Sequence, residues 1–358
     1  MPASPPDTEA VVAGTTRAQA GSPRPSQVDR RARPGRSVVL CVLLLVLAVG
    51  ASFSVGAAAV PLEDVWAALG GGGSEDARIV MQELRLPRTV AAVVVGSALA
   101  VAGAIMQALV RNPLADPGVL GVNAGAAVAV AIAVSLLGVR SVHAYAGFAF
   151  AGALIVTVLV QLAATSGVGP VTGSRLLMGG VAVAAALGGV TSALSVLHAD
   201  AFDQMRFWSA GSLVGRSFDI VLPVVPFLGA GLLLALLAAS SLNAFALGED
   251  SARALGATVS STRILAVGAV TLLAGGATAI AGPLAFVGLM VPHLARRMVG
   301  VDHRWIVVCS ALLGPVLVLL ADVVGRAATP GELPVGVVTA FLGAPVLIAV
   351  ARHRGSRA

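Results

Sequence analysis

The segment Thr89–Val110 reads TVAAVVVGSALAVAGAIMQALV and contains no charged side chain. An apolar run of about 20 residues is long enough to cross the hydrocarbon core of a bilayer as one α-helix. Similar runs recur along the chain, and they predict an all-α integral membrane protein with about ten transmembrane helices. The predicted spans are Ser37–Gly56, Thr89–Val110, Val119–Gly138, Ala144–Ala164, Leu176–Leu197, Ile220–Ser240, Ile264–Ala281, Pro283–Arg297, Ile306–Arg326 and Pro334–Ala351.

The composition supports a lipid-facing surface. The chain is 57% hydrophobic and only 11% charged, which leaves too few polar residues to cover several water-exposed domains. All 23 basic residues are arginine, and they lie between apolar runs. That distribution is typical of residues that set membrane orientation, so no nucleic-acid partner is predicted. Cys41 and Cys309 each lie inside an apolar run, which argues against a disulfide framework.

The two ends of the chain are predicted to differ from its body. Residues 1–36 are rich in Pro, Ser, Ala and Arg without apolar periodicity, which predicts a disordered tail. A transmembrane domain would cover residues 37–351, followed by a short tail over 352–358. Arg30-Arg31 before the first span could also be a twin-arginine export signal, but that span is long enough to be retained as a helix. Most arginines fall in segments that lie on the same side of the membrane as the N-terminus. Because cytoplasmic segments are enriched in basic residues, both termini are predicted to be cytoplasmic.

The stretch from Ile264 to Pro292 is uncharged and is too long for one span but too short for two. Gly282-Pro283 interrupts it. We therefore expect the eighth segment, Pro283–Arg297, to be kinked or partly re-entrant. Closely spaced Gly and Ala residues in the second span, such as Gly96 and Gly103, predict close packing of helix backbones.

The spans contain few groups that could drive transport. An ion-coupled carrier generally keeps ionisable residues at mid-bilayer, whereas Gln107 and Gln161 are neutral and are predicted to bond between helices. Asp322 lies near the end of its span. The chain has no lysine for a phosphate-binding loop, and no metal-ligand cluster is recognisable, so no cofactor or metal is predicted. A permease powered by another polypeptide fits best, with a secondary carrier or an intramembrane enzyme as alternatives.

Several polar motifs interrupt the apolar pattern. They are Leu84-Arg85-Leu86-Pro87-Arg88, Arg111-Asn112-Pro113-Leu114-Ala115-Asp116-Pro117, Leu247-Gly248-Glu249-Asp250, Val291-Pro292-His293, Asp302-His303-Arg304 and Gly331-Glu332-Leu333-Pro334. These motifs resemble those of the FecCD family of ABC importer permeases, which move ferric siderophores, haem or cobalamin across the bacterial inner membrane.

The resemblance implies an all-α bundle of the cobalamin-importer type and a set of partners. These are a second permease subunit, identical or related, two ATPase subunits that carry ATP and Mg²⁺, and an extracytoplasmic substrate-binding protein. Within the family, Asp203-Gln204-Met205-Arg206-Phe207-Trp208 and Asn123-Ala124-Gly125-Ala126 look most like the ferric-enterobactin permeases. A catecholate-type ferric siderophore is therefore the expected substrate, with haem or cobalamin as alternatives.

Three arginines flank predicted spans on the outer side. Arg85 and Arg88 precede the second span, and Arg326 ends the ninth. Arginines can pair bidentately with carboxylates, and the resemblance implies that these three dock acidic side chains of the binding protein. Contact with lipid phosphate is the alternative.

The loop Leu242–Arg263 is longer than a connector requires. Its residues from Asp250 to Leu255 are predicted to form a short helix that Gly256 ends. The resemblance implies that this loop seats in the ATPase subunit and transmits nucleotide-driven motion. The residues assigned to this coupling role are Gly248, Glu249, Asp250, Ala252, Leu255 and Gly256.

Two further sets of residues follow from the resemblance. A cytoplasmic gate is expected at Asn112, Pro113 and Leu114 together with Gly173 and Ser174 in the loop before the fifth span, although Asn112 and Pro113 could simply end the helix. An outer segment over Ala201–Leu213 carries aromatic residues that could anchor at the interface. The resemblance implies that it lines an outer vestibule, through Phe202, Met205, Phe207 and Trp208.

Overall fold

A computed structural model describes residues 34–56, 64, 67–68, 70, 72–166, 173–246, 248–254, 258–329 and 331–355. The described residues form helices and no strands. The α-helices are α1 Pro34–Ser54, α2 Glu75–Ile79, α3 Leu86–Val110, α4 Val122–Ser135, α5 Val142–Thr165, α6 Gly173–Leu197, α7 Ala199–Ser209, α8 Phe218–Val221, α9 Val225–Phe245, α10 Glu249–Ala254, α11 Val259–Ala281, α12 Val287–Val299, α13 His303–Ala328 and α14 Val335–Gly355. A π-helical segment over Val80–Arg85 joins α2 to α3, and a 3₁₀ turn over Pro117–Leu120 precedes α4.

Seven helical segments in the described part of the chain are long and apolar enough to cross a membrane. They are α1, the continuous run from α2 through α3, α5, α6, α9, α11 and α13. The predicted all-α class is confirmed. Shorter apolar helices over Val122–Ser135 and Val335–Ile348 correspond to the predicted third and tenth spans.

The centre of the bundle is built on α3, α11 and α13. Most residues in the apolar stretch of each of these helices are buried, and α3 packs against α11, α12 and α13. Gly96 of α3 meets Gly314 of α13 so closely that a Cβ on Gly96 would lie 2.6 Å from the Gly314 carbonyl oxygen. Gly103 similarly meets Gly288 of α12. The predicted close packing through glycine is therefore confirmed.

The sixth predicted span, Ile220–Ser240, was misplaced by five residues. The observed helix is Val225–Phe245, with a proline at its beginning. Proline is favoured in the first turn because it lacks the N–H that a helix start leaves unpaired. Ile220 instead lies in the short helix α8. At the two ends of the chain, α1 begins at Pro34 and α14 continues to Gly355, so helix extends beyond the predicted bounds 37 and 351.

The predicted interruption at Gly282-Pro283 is present. Helix α11 ends at Ala281, Gly282 adopts φ 75°, and helix α12 starts only at Val287. At 1.5 Å per residue, the 13 residues of α12 extend about 20 Å, which is less than the hydrocarbon thickness. The eighth segment is therefore a short helix after a non-helical break.

Side-chain contacts define two ends of the bundle. At the first end α1 and α13 finish and α3 begins, because Ser52 of α1 contacts both Thr89 and Arg326. We call this the arginine end. At the second end α1 and α13 begin and α9 finishes, and Asn243 of α9 bonds Asp302 before α13. We call this the asparagine end.

Candidate functional site

Arg88 holds two carboxylates at the arginine end. Its Nε and Nη2 donate to Asp322 of α13, with the shortest distance 2.8 Å, and its Nη1 donates to Glu332 Oε2 at 2.8 Å. The Asp322 side chain is 2% exposed and that of Glu332 is 22% exposed. Arg88 therefore connects α3 to α13 and to the loop that precedes α14.

Arg326 is the second cation of this network. Its Nη2 lies 3.1 Å from Asp322 Oδ2 and 3.0 Å from Ser52 Oγ, and its Nη1 donates to the backbone carbonyls of Ser52 and Val55. Ser52 in turn contacts the Thr89 hydroxyl at 2.8 Å. Because a buried charge needs both an opposite charge and hydrogen bonds, these contacts account for the burial of Arg326.

Arg85 completes the set of predicted docking arginines. Its guanidinium donates to the Phe53 carbonyl, and it packs so tightly on Gly56 that a Cβ there would lie 2.7 Å from Nη2. Arg85 is itself 5% exposed. It lies in the π-helical segment, which places it between the end of α1 and the start of α3.

All three predicted docking arginines line one cavity of 530 Å³ at the arginine end. Arg216 lines it as well, with its Nε donating to the Ser212 carbonyl at 3.3 Å. The charged residues around the cavity are Arg85, Arg88, Arg216, Arg326, Glu83 and Glu332. Four cations against two carboxylates leave the lining basic, which favours an anionic group in the cavity.

Sequence reasoning missed the carboxylates that organise this end. Asp322 was noted only for its depth, although its spacing of four residues before Arg326 is the spacing of an intrahelical ion pair. Glu332 appeared only as part of a motif, and Arg216 was not singled out. No local pattern could have joined Arg88 to Glu332, because the contact spans 244 positions in sequence.

At the asparagine end, the short helix predicted in the loop Leu242–Arg263 is present over Glu249–Ala254. Ala252 is fully buried against the rest of the chain, whereas Ser251 is exposed. Gly248 precedes the helix with φ 104°, a conformation that favours glycine. Leu255 and Gly256 lie outside the described residues.

Asn243 links the helix before this segment to α13. Its Nδ2 donates to Asp302 Oδ1 at 2.8 Å, while its Oδ1 accepts from the backbone N–H of His303 at 2.8 Å and contacts His303 Nδ1 at the same distance. The hydrogen bond from the Asn243 side-chain amide lowers the pKa of the Asp302 carboxyl below its usual value. No motif or spacing in the sequence distinguishes Asn243.

The predicted gate residues are at the end of α3 and the start of α6. Arg111 ends α3 in the left-handed conformation, and the Asn112 side chain accepts from the Leu114 N–H at 3.0 Å. This contact fixes a tight turn at exposed residues. Gly173 and Ser174 begin α6.

The predicted vestibule residues lie on α7 but divide between its faces. Met205 and Trp208 are buried, and the indole N–H of Trp208 has no hydrogen-bond partner among the described residues. Phe202 is 53% exposed and Phe207 is 66% exposed. Arg206 lies over the Phe207 ring at 4.8 Å.

Gln107 forms an interhelical contact, as predicted. Its Nε2 donates to the carbonyls of Gly288 and Leu289, and its Oε1 accepts from Arg296. These bonds join α3 to α12. Gln161 Oε1 is buried without a partner among the described residues, so the contact predicted for Gln161 is not seen through this atom.

Comparison with known proteins identifies the architecture. Residues 43–353 match the model of the FecCD transport family. The chain belongs to that family. It is 47% identical to the ferric enterobactin transport system permease protein of Escherichia coli K12, over 87% of this chain and 94% of that protein.

Two other permeases and a solved transporter are also similar. The haemin transport system permease of Yersinia pestis is 36% identical, over 89% of this chain and 96% of its own length. The cobalamin import system permease of Halobacterium salinarum is 37% identical, with 90% of each chain covered. A solved inward-facing transporter of the metal-chelate ABC type superposes with a TM-score of 0.79 at 27% identity, over 89% of this chain and 99% of that one.

Membership fixes the general role of the chain. It is a membrane-spanning permease of an ABC importer, and its relatives are transport subunits and not enzymes. The family implies an ATPase and a substrate-binding protein as partners. The three arginines of the 530 Å³ cavity and the short helix Glu249–Ala254 therefore lie at opposite ends of a transport subunit.

Proposed function

We propose that this chain is the permease subunit for a ferric siderophore of the catecholate type. The observation that carries the proposal is its 47% identity, over nearly the whole length, to a ferric enterobactin permease. A chelated iron arrives with its coordination filled, so the permease needs no iron ligands.

We infer that the arginine end faces outward and receives the binding protein. The support is the basic cavity that gathers Arg85, Arg88 and Arg326, because acidic side chains of a partner can pair with arginines. The asparagine end then faces the cytoplasm together with both chain termini, in the inner membrane. This orientation agrees with the excess of arginine on the amino-terminal side.

The short helix α10 is proposed to bind in a cleft of the ATPase subunit, with two such subunits carrying ATP and Mg²⁺. The burial of one face of α10 supports this role, because Ala252 packs against the rest of the chain while Ser251 is exposed and free to contact a partner. The chain itself is proposed to bind no cofactor. Asn112, Pro113 and Leu114 at the end of α3 and Gly173 and Ser174 at the start of α6 would form the cytoplasmic gate.

We propose that the pathway forms between this chain and a second permease subunit, identical or related. Helix α6 supports the proposal, because only 6% of the residues in its most apolar stretch are buried within the chain. A second subunit or lipid must cover such a surface. Ten membrane-crossing segments are proposed, by counting α4, α12 and α14 with the seven long spans.

Uptake of labelled chelates tests the substrate and the docking face together. A bacterial strain lacking its own permeases would express this chain with its ATPase and binding protein and receive ferric enterobactin, haemin or cobalamin. We expect uptake of ferric enterobactin only. Uptake of haemin or cobalamin alone would transfer the proposal to that chelate.

The docking face is tested in the same strain with paired variants. Arg85→Gln combined with Arg216→Gln removes two cations of the cavity and should reduce uptake at least roughly tenfold, a loss of ~1.4 kcal/mol. Arg140→Gln is the control, because Arg140 is a 79% exposed partner of Asp200 away from the cavity lining. Equal uptake by both variants, at equal protein levels in the membrane, would refute docking at this cavity.

A further inference from the structure

The two carboxylates on Arg88 are held unequally. Asp322 takes bonds from Nε and Nη2 and is 2% exposed, so it is a permanent partner within the bundle. Glu332 takes a bond from Nη1 alone and is 22% exposed. Of the two, only Glu332 can leave Arg88 without uncovering the interior.

The backbone of Glu332 is strained. It adopts φ 51°, a left-handed conformation that is uncommon for a residue with a side chain. Such a conformation persists where surrounding contacts fix it, and here the contacts are the Arg88 ion pair and a bond from the Glu332 N–H to the Thr329 carbonyl at 3.1 Å. Loss of the ion pair would allow this residue to relax.

The neighbours of Glu332 make the change local. Leu333 is tied to α13 by its N–H bond to the Gly325 carbonyl at 3.0 Å. A Cβ on Gly331 would meet nothing within 4 Å. The side chain of Glu332 can therefore move while the residue after it stays attached to α13.

Glu332 also lines the basic cavity. An incoming carboxylate would meet Arg85 and Arg216 there, with Arg88 reachable behind Glu332 because its side chain is 12% exposed. Arg88 cannot gain much from a third carboxylate while both of its own partners remain. An exchange keeps Arg88 paired throughout, and thus avoids the cost of an uncompensated half-buried charge.

We propose that Glu332 occupies the site on Arg88 that a carboxylate of the binding protein takes on docking, and that an acidic side chain of the binding protein then displaces Glu332 from Arg88. This inference rests on the docking role proposed above. Its consequence is that docking relieves the backbone strain at Glu332, while Leu333 stays bonded to α13.

The test measures binding of the ferric-enterobactin-loaded binding protein to the assembled transporter in nanodiscs. Glu332→Gln removes the competing charge, so affinity should rise roughly three- to tenfold, the range for a partly buried ion pair that no longer competes. Glu83→Gln is the matched control. Glu83 lines the same cavity but belongs to no Arg88 ion pair among the described residues, so its removal reports only the general charge effect.

Two further variants complete the test. Glu332→Gly also removes the φ strain and should increase affinity at least as much as Glu332→Gln. In an Arg88→Gln background, Glu332→Gln should give no increase beyond that of Glu83→Gln. Equal effects of Glu332→Gln and Glu83→Gln in the normal background, or weaker binding by both Glu332 variants, would overturn the exchange. Unchanged binding after Arg85→Gln with Arg216→Gln would instead overturn the docking role itself.

Discussion

At the arginine end, Arg88 and Arg326 share the buried carboxylate of Asp322, whereas at the asparagine end a neutral amide, Asn243, joins α9 to α13. Breaking a buried ion pair leaves an uncompensated charge and costs more than losing the hydrogen bonds of an uncharged amide side chain. The contacts at the arginine end are therefore the harder of the two sets to break. The asparagine end, which carries α10, is the part of the bundle that can rearrange at lower cost.

The largest expected effect comes from Asp322→Ala. It leaves Arg88 and Arg326 buried without their shared carboxylate, and should lower the free energy of unfolding by about 3–5 kcal/mol. Thermal unfolding in detergent measures it. The control is Asp200→Ala, which removes an exposed ion pair and should cost at most ~1 kcal/mol. Equal losses in the two variants would mean that the arginine end is not held by this network.

Asn243→Ala should cost less, about 1–3 kcal/mol, because it removes hydrogen bonds to the Asp302 carboxylate and to the His303 backbone but leaves no buried charge without its counter-ion. Asn112→Ala is the matched control, since the Asn112 amide serves an exposed turn. A loss for Asn243→Ala as large as that for Asp322→Ala would erase the contrast between the two ends.

Acid should separate the same variants. Asn243 lowers the pKa of Asp302, so this carboxylate stabilises the folded chain above its ordinary pKa of about 3.9 and loses that contribution as the pH falls through its lower folded value. The free energy of unfolding of the parent chain should therefore fall more steeply below about pH 4 than that of Asn243→Ala. Parallel pH profiles for the two proteins would contradict this assignment.

The smallest effect on stability is expected for Ser251→Arg on the exposed face of α10. Stability should not change, but substrate uptake should fall roughly tenfold, equal to ~1.4 kcal/mol, because a bulky charge would enter the ATPase contact. Uptake and protein thermal stability are measured on the same preparation. Normal uptake with normal stability would remove α10 from the coupling role.

Much of the fold could be predicted because apolar length and helix breakers are local properties. The interruption at Gly282-Pro283 and the short helix near Asp250 follow from residue type alone. The start of α9 was misjudged because apolar residues continue through Ile220 to Pro226, and only the chain's packing decides which of them begin the span. Predicted bounds are least secure where an apolar run contains several prolines.

The candidate site was predictable only in part. Arg85, Arg88 and Arg326 are predicted to lie on one side of the membrane, and in the structure they line one cavity. Their partners depend on tertiary contacts such as Arg88 to Glu332, which no spacing reveals. An arginine that the sequence predicts to dock a partner's carboxylate can thus already hold a carboxylate of its own chain.

Accumulation in proteoliposomes tests most directly whether this permease takes its driving force from a partner. Vesicles would contain the permease with or without its ATPase subunits, with ATP inside and loaded binding protein outside, or a proton gradient in place of ATP. The account predicts that ferric enterobactin accumulates only with the ATPase and ATP. Concentrative accumulation by the permease alone, driven by the proton gradient, would contradict it.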